Sequence, residues 1–375
     1  MSSFFKNLND KDFYSNKLNH IYLEGEINTK NIDKLFNNIR KINKDENPKP
    51  ILIHINSTGG NLEDALRLMS IFNITTIPIA TIIDNYSFSA ATLLSINSPY
   101  RVMTKNSFCL LHEYRINGYI NNGRNEVINI INKFDSYFKS FINMYLKKTL
   151  FTKDELMELL QHNLILDFKY CIKKGIVDRI INYNFKNKNK KNNNITEIIK
   201  NNNTYNLYIS CDMLNENLDN EINKINNDKI CLIYSTFSNC FNKKKDFKYD
   251  IKNIFYIFNS FNLITKIKTI NTLKYSIIDI PISLENLLPL LYTDKIYMYS
   301  HTYIVCNFLY TFDNYSLFLD DNIKNTLLII NKIKKILKEK TKMKLSDINM
   351  INKKFMILNP IECKKLGLCH EIITI

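Results

Sequence analysis

Between residues 50 and 84 the chain twice runs from an unbroken apolar stretch into a connection of different character. PILIHIN (50–56) and IATIID (79–84) show none of the alternation expected of a strand with one wet face, so both read as strands buried on two sides, as in a parallel sheet. Parallel neighbours need crossovers, and the intervening residues supply them. Upstream, HIYLEGEI from His20 reads as a strand with a turn, and NTKNIDKLFNNIRKI as an amphipathic helix. After Gly60, the residues Leu62, Ala65, Leu66, Met69 and Phe72 share one helical face, and Pro78 ends the connection. Two β-α-β units in succession predict an α/β fold. Further on, SAATLLSI reads as a helix, YRVM and NSFCLLHEY as strands, and Val127–Leu146 as a long helix with Val127, Ile131, Phe134, Phe138, Phe141 and Tyr145 in register.

The chain has only seven glycines in 375 residues, and two of them, Gly59 and Gly60, stand together in HINSTGG, between the second strand and its helix. A glycine pair there allows a sharp turn with positive φ and exposes backbone N–H groups beside the positive end of a helix dipole. Taken alone, the loop fits a phosphate, a transient oxyanion, or simply a tight turn.

The segments that follow narrow this choice. HINSTGG is succeeded by TIIDNYSFSAATLL, then YRVMTKNSFCLLHEY, then the long helix and KKGIVDRII. In order and spacing these four motifs, spanning residues 20–183, resemble the Clp protease family of self-compartmentalised serine peptidases. The resemblance implies that Ser89 is the nucleophile, His112 the general base, and the backbone N–H groups of Gly60 and Ala90 the oxyanion hole. The family's small residue before the nucleophile is replaced by Phe88. Gly118 and Gly123, in RINGYINNG, flank what resembles the family's handle, a strand before the long helix. Counting back from Gly175 puts Leu159 where the family has its third catalytic residue, an aspartate, and leucine cannot orient an imidazole. Glu158, His162 and Asn163 are the nearby substitutes. Asn163 carries an amide oxygen able to accept from an imidazole N–H. A Ser-His dyad is the other reading.

The second half repeats the first. SIIDIPISLENLL (276–288) and DKIYMYSHTYIVCNFLY (294–310) align with the segments around Ser89 and His112 at a constant offset of 195 residues. The chemistry is not repeated: Ser89 maps to Leu284, His112 to Asn307, and the glycine pair to Ser238 and Asn239. Ser283 is one residue out of register, and His301 falls on the place of Asn106. The expected architecture is therefore two tandem β-α-β superhelical domains of the Clp-protease and crotonase type. Residues 1–185 carry the catalytic motifs, 186–204 form a basic Asn/Lys-rich linker, and 205–375 form a degenerate copy.

Composition excludes other classes. The net charge of +15 is spread along a chain rich in Lys, Asn and Ile, so it does not mark a nucleic-acid partner. Eight cysteines without a C-x-x-C pair point to no metal and to a reducing compartment. With neither a secretory h-region nor an apolar run of spanning length, a cytoplasmic protein without membrane attachment is expected. The resemblance implies cofactor-free hydrolysis of polypeptides through an acyl-enzyme, within a homo- or hetero-oligomer of Clp subunits that an AAA+ Clp unfoldase could serve. The alternative is a catalytically inactive Clp-like subunit that assembles with a separate active protease. Enoyl-CoA hydratase relatives lack the Ser-His spacing, and tandem signal-peptide peptidases need a Ser-Lys dyad for which Lys105 is the nearest lysine.

Overall fold

The computed structural model describes residues 3–114, 124–182, 204–209, 220–222, 224–225, 230–235, 252–270, 272–306, 310–311, 319–353 and 356–374. The chain divides into two units, residues 1–182 with 316–321 and residues 183–315 with 322–375. The expected handle glycines Gly118 and Gly123, the linker residues 186–203, Ser238, Asn239 and Asn307 lie outside the described residues.

In the first unit, strands β1 (Asn19–Ile27), β2 (Ile51–Gly60), β3 (Ile79–Phe88), β4 (Arg101–Thr104) and β7 (Arg179–Ile181) form a parallel sheet in the order β1-β2-β3-β4-β7. The C-terminal end of β3 leaves β4 and pairs with β5 (Phe108–Leu110), which in turn pairs antiparallel with β6 (Ile165–Asp167). Crossover helices Thr29–Ile42 and Leu62–Met69 begin at Asn28 and Asn61, whose side chains accept from backbone N–H groups three residues on. The second helix is shorter than its apolar spacing predicts. It ends at Met69, where the Ser70 hydroxyl donates back to the Arg67 carbonyl (2.8 Å), and Phe72 falls in a separate 3-10 turn.

The two faces of this sheet differ in chemistry because strand residues alternate sides. Odd-numbered residues Ile21, Leu23, Ile53, Ile55, Ile79 and Ile83 join one apolar core with the crossover helices. Even-numbered positions on the other face hold a buried polar chain. His20 Nε2 meets the Ser15 carbonyl (2.9 Å), His20 Nδ1 meets His54 Nε2 (2.8 Å), and His54 Nδ1 meets the Asp84 carboxylate, which also accepts from the Tyr14 hydroxyl. Tyr22 stacks on the His54 ring at 4.7 Å. Both ends of the imidazole pair face acceptors, the Ser15 carbonyl and the Asp84 carboxylate.

In the second unit, β8 (Thr204–Ile209), β9 (Ile230–Ser235), β11 (Lys274–Ile278), β13 (Lys295–Tyr299) and β17 (Glu371–Ile373) form a parallel sheet in the order β17-β13-β11-β9-β8. Beside it, β12 (Ile282–Ser283), β14 (Ile304–Cys306) and β16 (Met356–Leu358) make a small mixed sheet, and β10 (Lys252–Asn253) pairs parallel with β15 (Tyr310–Thr311). The register of the two larger groups follows the first unit residue for residue. Thr81 pairs with Arg101 and Ser276 with Ile296; Phe88 pairs with Leu110 and Ser283 with Val305. Among the described residues, no helix is long and apolar enough to cross a membrane.

Asp84 is fully buried and paired, so truncating it leaves the buried His54 Nδ1 and the Tyr14 hydroxyl without their carboxylate partner. Asp84→Ala is expected to lower the stability of the first unit by about 3–5 kcal/mol, read from urea unfolding of the full chain.

Candidate active site

Each of the two glycines of HINSTGG makes a different close approach. A Cβ on Gly59 would lie 2.7 Å from the Phe88 carbonyl oxygen, 2.8 Å from Ser89 Cβ and 3.0 Å from the Ala90 nitrogen. A Cβ on Gly60 would collide with the Ile27 carbonyl oxygen on β1. Gly59 therefore lets the loop touch the turn after β3, and Gly60 lets it close against β1. The N–H of Gly59 donates to the Ser57 hydroxyl (3.2 Å). The peptide that bears the Gly60 N–H thus starts at the residue packed on Ser89 and Ala90, the two segments from which the oxyanion donors were expected.

Ser89 has φ of 51°, and among the described residues it is the one non-glycine with positive φ. Left-handed backbone costs a residue with a Cβ roughly 1–2 kcal/mol, so the surroundings must hold it. They do so from both sides. The Ser89 N–H donates to the Leu110 carbonyl (2.8 Å), and its own carbonyl accepts from the Thr92 N–H (2.9 Å) and the Thr92 hydroxyl (2.6 Å). Thr92 Oγ1 also meets the Tyr145 hydroxyl on helix Arg124–Lys148 (2.8 Å), a phenol that burial keeps protonated far above its ordinary range. From Ile79 to Ile96, Ser89 is the one residue that is not buried. The turn lifts a single hydroxyl out of an otherwise closed strand–helix segment. Phe88 does not obstruct it; its side chain is buried beside Tyr86.

His112 follows β5, two residues beyond the carbonyl that holds the Ser89 N–H, so base and nucleophile leave the ends of adjacent parallel strands. Its Nδ1 lies 2.5 Å from the Glu113 carbonyl oxygen. A carbonyl only accepts, so Nδ1 carries the proton and Nε2 presents the lone pair, the tautomer a general base requires.

The residues weighed for the third position separate by burial. Leu159 belongs to the apolar core, Glu158 is exposed, His162 is half-buried and Asn163 is buried. The antiparallel register of β5 and β6 pairs Phe108 with Asp167 and Leu110 with Ile165. The ladder ends there, and beyond it the Glu113 N–H donates to the Leu160 carbonyl (2.9 Å), out of that register. The acceptor at His112 Nδ1 is the Glu113 main chain, which residue types do not disclose because any residue offers a carbonyl there. The role of Gly59 is equally hidden, since spacing does not distinguish which of two adjacent glycines packs on the serine. A competing thiolate is disfavoured: burial, then the neighbouring Cys109 thiol, push the Cys171 thiol well above its usual range.

At the corresponding turn of the second unit no described residue has positive φ. Leu284 is fully buried at the start of helix Leu284–Leu290, and Ser283 is buried with φ of −86°. His301 Nε2 sits 3.1 Å from the Asp279 carbonyl oxygen, at the surface.

A parallel crossover sheet with a strained serine after its central strand, a glycine loop against it and a histidine just beyond the adjacent strand define the candidate site of this α/β domain. Residues 9–184 match the family model described as Clp protease. No curated protein matches the chain.

The strain at Ser89 has a measurable consequence. Ser89→Gly should be more stable than Ser89→Ala by about 1 kcal/mol, because only glycine adopts φ of 51° without a Cβ penalty. Thermal unfolding of the two full-length variants gives the comparison; equal midpoints would contradict the strain.

Proposed function

We propose that the chain is a serine endopeptidase of the Clp type, in which Ser89 attacks a peptide carbonyl and His112 takes its proton. The observation that carries this reading is the backbone of Ser89: a non-glycine residue at φ 51°, half-exposed, with a glycine loop packed on one side and the histidine strand on the other. Strain of that kind is retained where it serves a site. In the first step Ser89 Oγ forms a bond to the carbonyl carbon while its proton passes to His112 Nε2. The oxyanion is met by the N–H groups of Gly60 and Ala90. The proton then goes to the leaving amine, and water hydrolyses the acyl-enzyme by the same route. The Glu113 carbonyl holds the imidazole at Nδ1, and Asn163 acts as the third member where its amide oxygen replaces that carbonyl.

The second unit is read as a degenerate copy that supports the first. Its shared strand order and shared register favour tandem duplication, and buried Leu284 at the place of Ser89 favours loss of chemistry. Clp-type subunits act as assemblies, so the proposed partners are further Clp subunits and an AAA+ unfoldase, with polypeptides as substrates. The absence of an aspartate at the third position favours a second reading, a non-catalytic Clp subunit.

The two readings part on one measurement. A fluorophosphonate probe should label the full-length wild type at Ser89, and Ser89→Ala and His112→Ala should each lower labelling at least 100-fold, as nucleophile and base act together. Absence of labelling in the wild type would leave only the non-catalytic subunit.

A further inference from the structure

A buried carboxylate stands behind Asn163. Asp321, distant in sequence but grouped with the first unit, has its side chain 1 % exposed. Its Oδ2 accepts from the Asn163 N–H at 3.0 Å. Its Oδ1 lies 3.2 Å from His162 Nδ1 without the alignment of a hydrogen bond. A carboxylate removed from water costs several kcal/mol unless its charge is used or paired, and one backbone donor with one misaligned imidazole is a thin complement. The position is also particular. Asp321 binds the main chain at Asn163, and three residues earlier in the same turn the Leu160 carbonyl accepts from the N–H of Glu113, the residue next to His112 (2.9 Å).

We propose that Asp321 is a positioning residue of this site: its carboxylate fixes the turn 160–163, which holds the Glu113 main chain next to His112, and restores there the negative charge that an asparagine at 163 does not carry. The inference rests on the serine-peptidase reading of Ser89 and His112. When His112 takes the serine proton it becomes an imidazolium, and a fixed negative charge close behind its neighbour stabilises that state relative to the free enzyme. The ionisable side chains around the turn are Glu113, Glu158 and His162; Glu113 and Glu158 are exposed and largely screened, whereas Asp321 is not.

The test moves the charge and measures the rate of fluorophosphonate labelling of Ser89 in the full chain. Asp321→Asn keeps the acceptor oxygen and loses the charge, and it should slow labelling roughly tenfold with the fold retained. Adding Asn163→Asp to that variant returns a carboxylate to the turn and should bring the rate back to within about threefold of wild type. A merely structural role predicts no such rescue. Wild type labelled with Asp321→Asn unchanged overturns the role of Asp321 and leaves the peptidase reading standing. Wild type unlabelled overturns both. Should Asp321→Asn alone fail to fold, the double variant decides: a labelling rate near wild type supports the relocated charge, and its loss refutes it.

Discussion

Strand β3 has no face toward water, and the rest of the first unit is arranged around that fact. All ten of its residues are buried, and it is hydrogen-bonded to β2 on one side and to β4 and then β5 on the other. A buried parallel strand must have every backbone group paired, and where its neighbours run out it must turn. That turn is Ser89. The change of partner from β4 to β5 carries the end of β3 away from the main sheet and brings the Leu110 carbonyl to the Ser89 N–H. Closure of the strand, rather than any feature of the serine itself, places the hydroxyl at the surface.

The site is therefore assembled from ends. Gly59 and Gly60 end β2, Ser89 follows β3, His112 follows β5 and Asn163 precedes β6, so the candidate residues lie on four different segments where strands stop. In open parallel sheets the edge at the strand ends is where a ligand can reach backbone donors and side chains together. The glycine pair is the clearest cost of this arrangement. Gly59 admits the serine turn and Gly60 admits β1, and a Cβ at either would collide with main chain. On the opposite face of the sheet, the His20–His54–Asp84–Tyr14 chain binds the segment before β1 to the centre of the sheet, and hydrogen bonding there substitutes for apolar packing.

Part of this arrangement is legible in the order of residues alone. Two-sided apolar runs announce β2 and β3, and three-and-four spacing announces the helices, because burial on two faces or one stripe leaves a periodic mark. Boundaries are less legible. The helix after Gly60 stops at Met69 because Ser70 bonds back to its own turn, a local competition that apolar spacing does not record. In the second half the ladder pairs Ser276–Ile296 and Ser283–Val305 stand at the same sequence offset from Thr81–Arg101 and Phe88–Leu110.

What the sequence by itself determined is the order of elements, the kinship of residues 9–184 with the Clp proteases, and the choice of Ser89 and His112 as residues to follow. These depend on residue type and spacing along the chain, which a sequence states directly. Only the tertiary structure decided that Ser89 sits at positive φ, that Gly59 rather than Gly60 packs on it, and that a main-chain carbonyl receives the His112 Nδ1 proton. It alone brought the Asp321 carboxylate to the N–H of Asn163. Those contacts join residues remote in sequence, or turn on the direction of a peptide plane, and neither leaves a periodic trace in the order of amino acids.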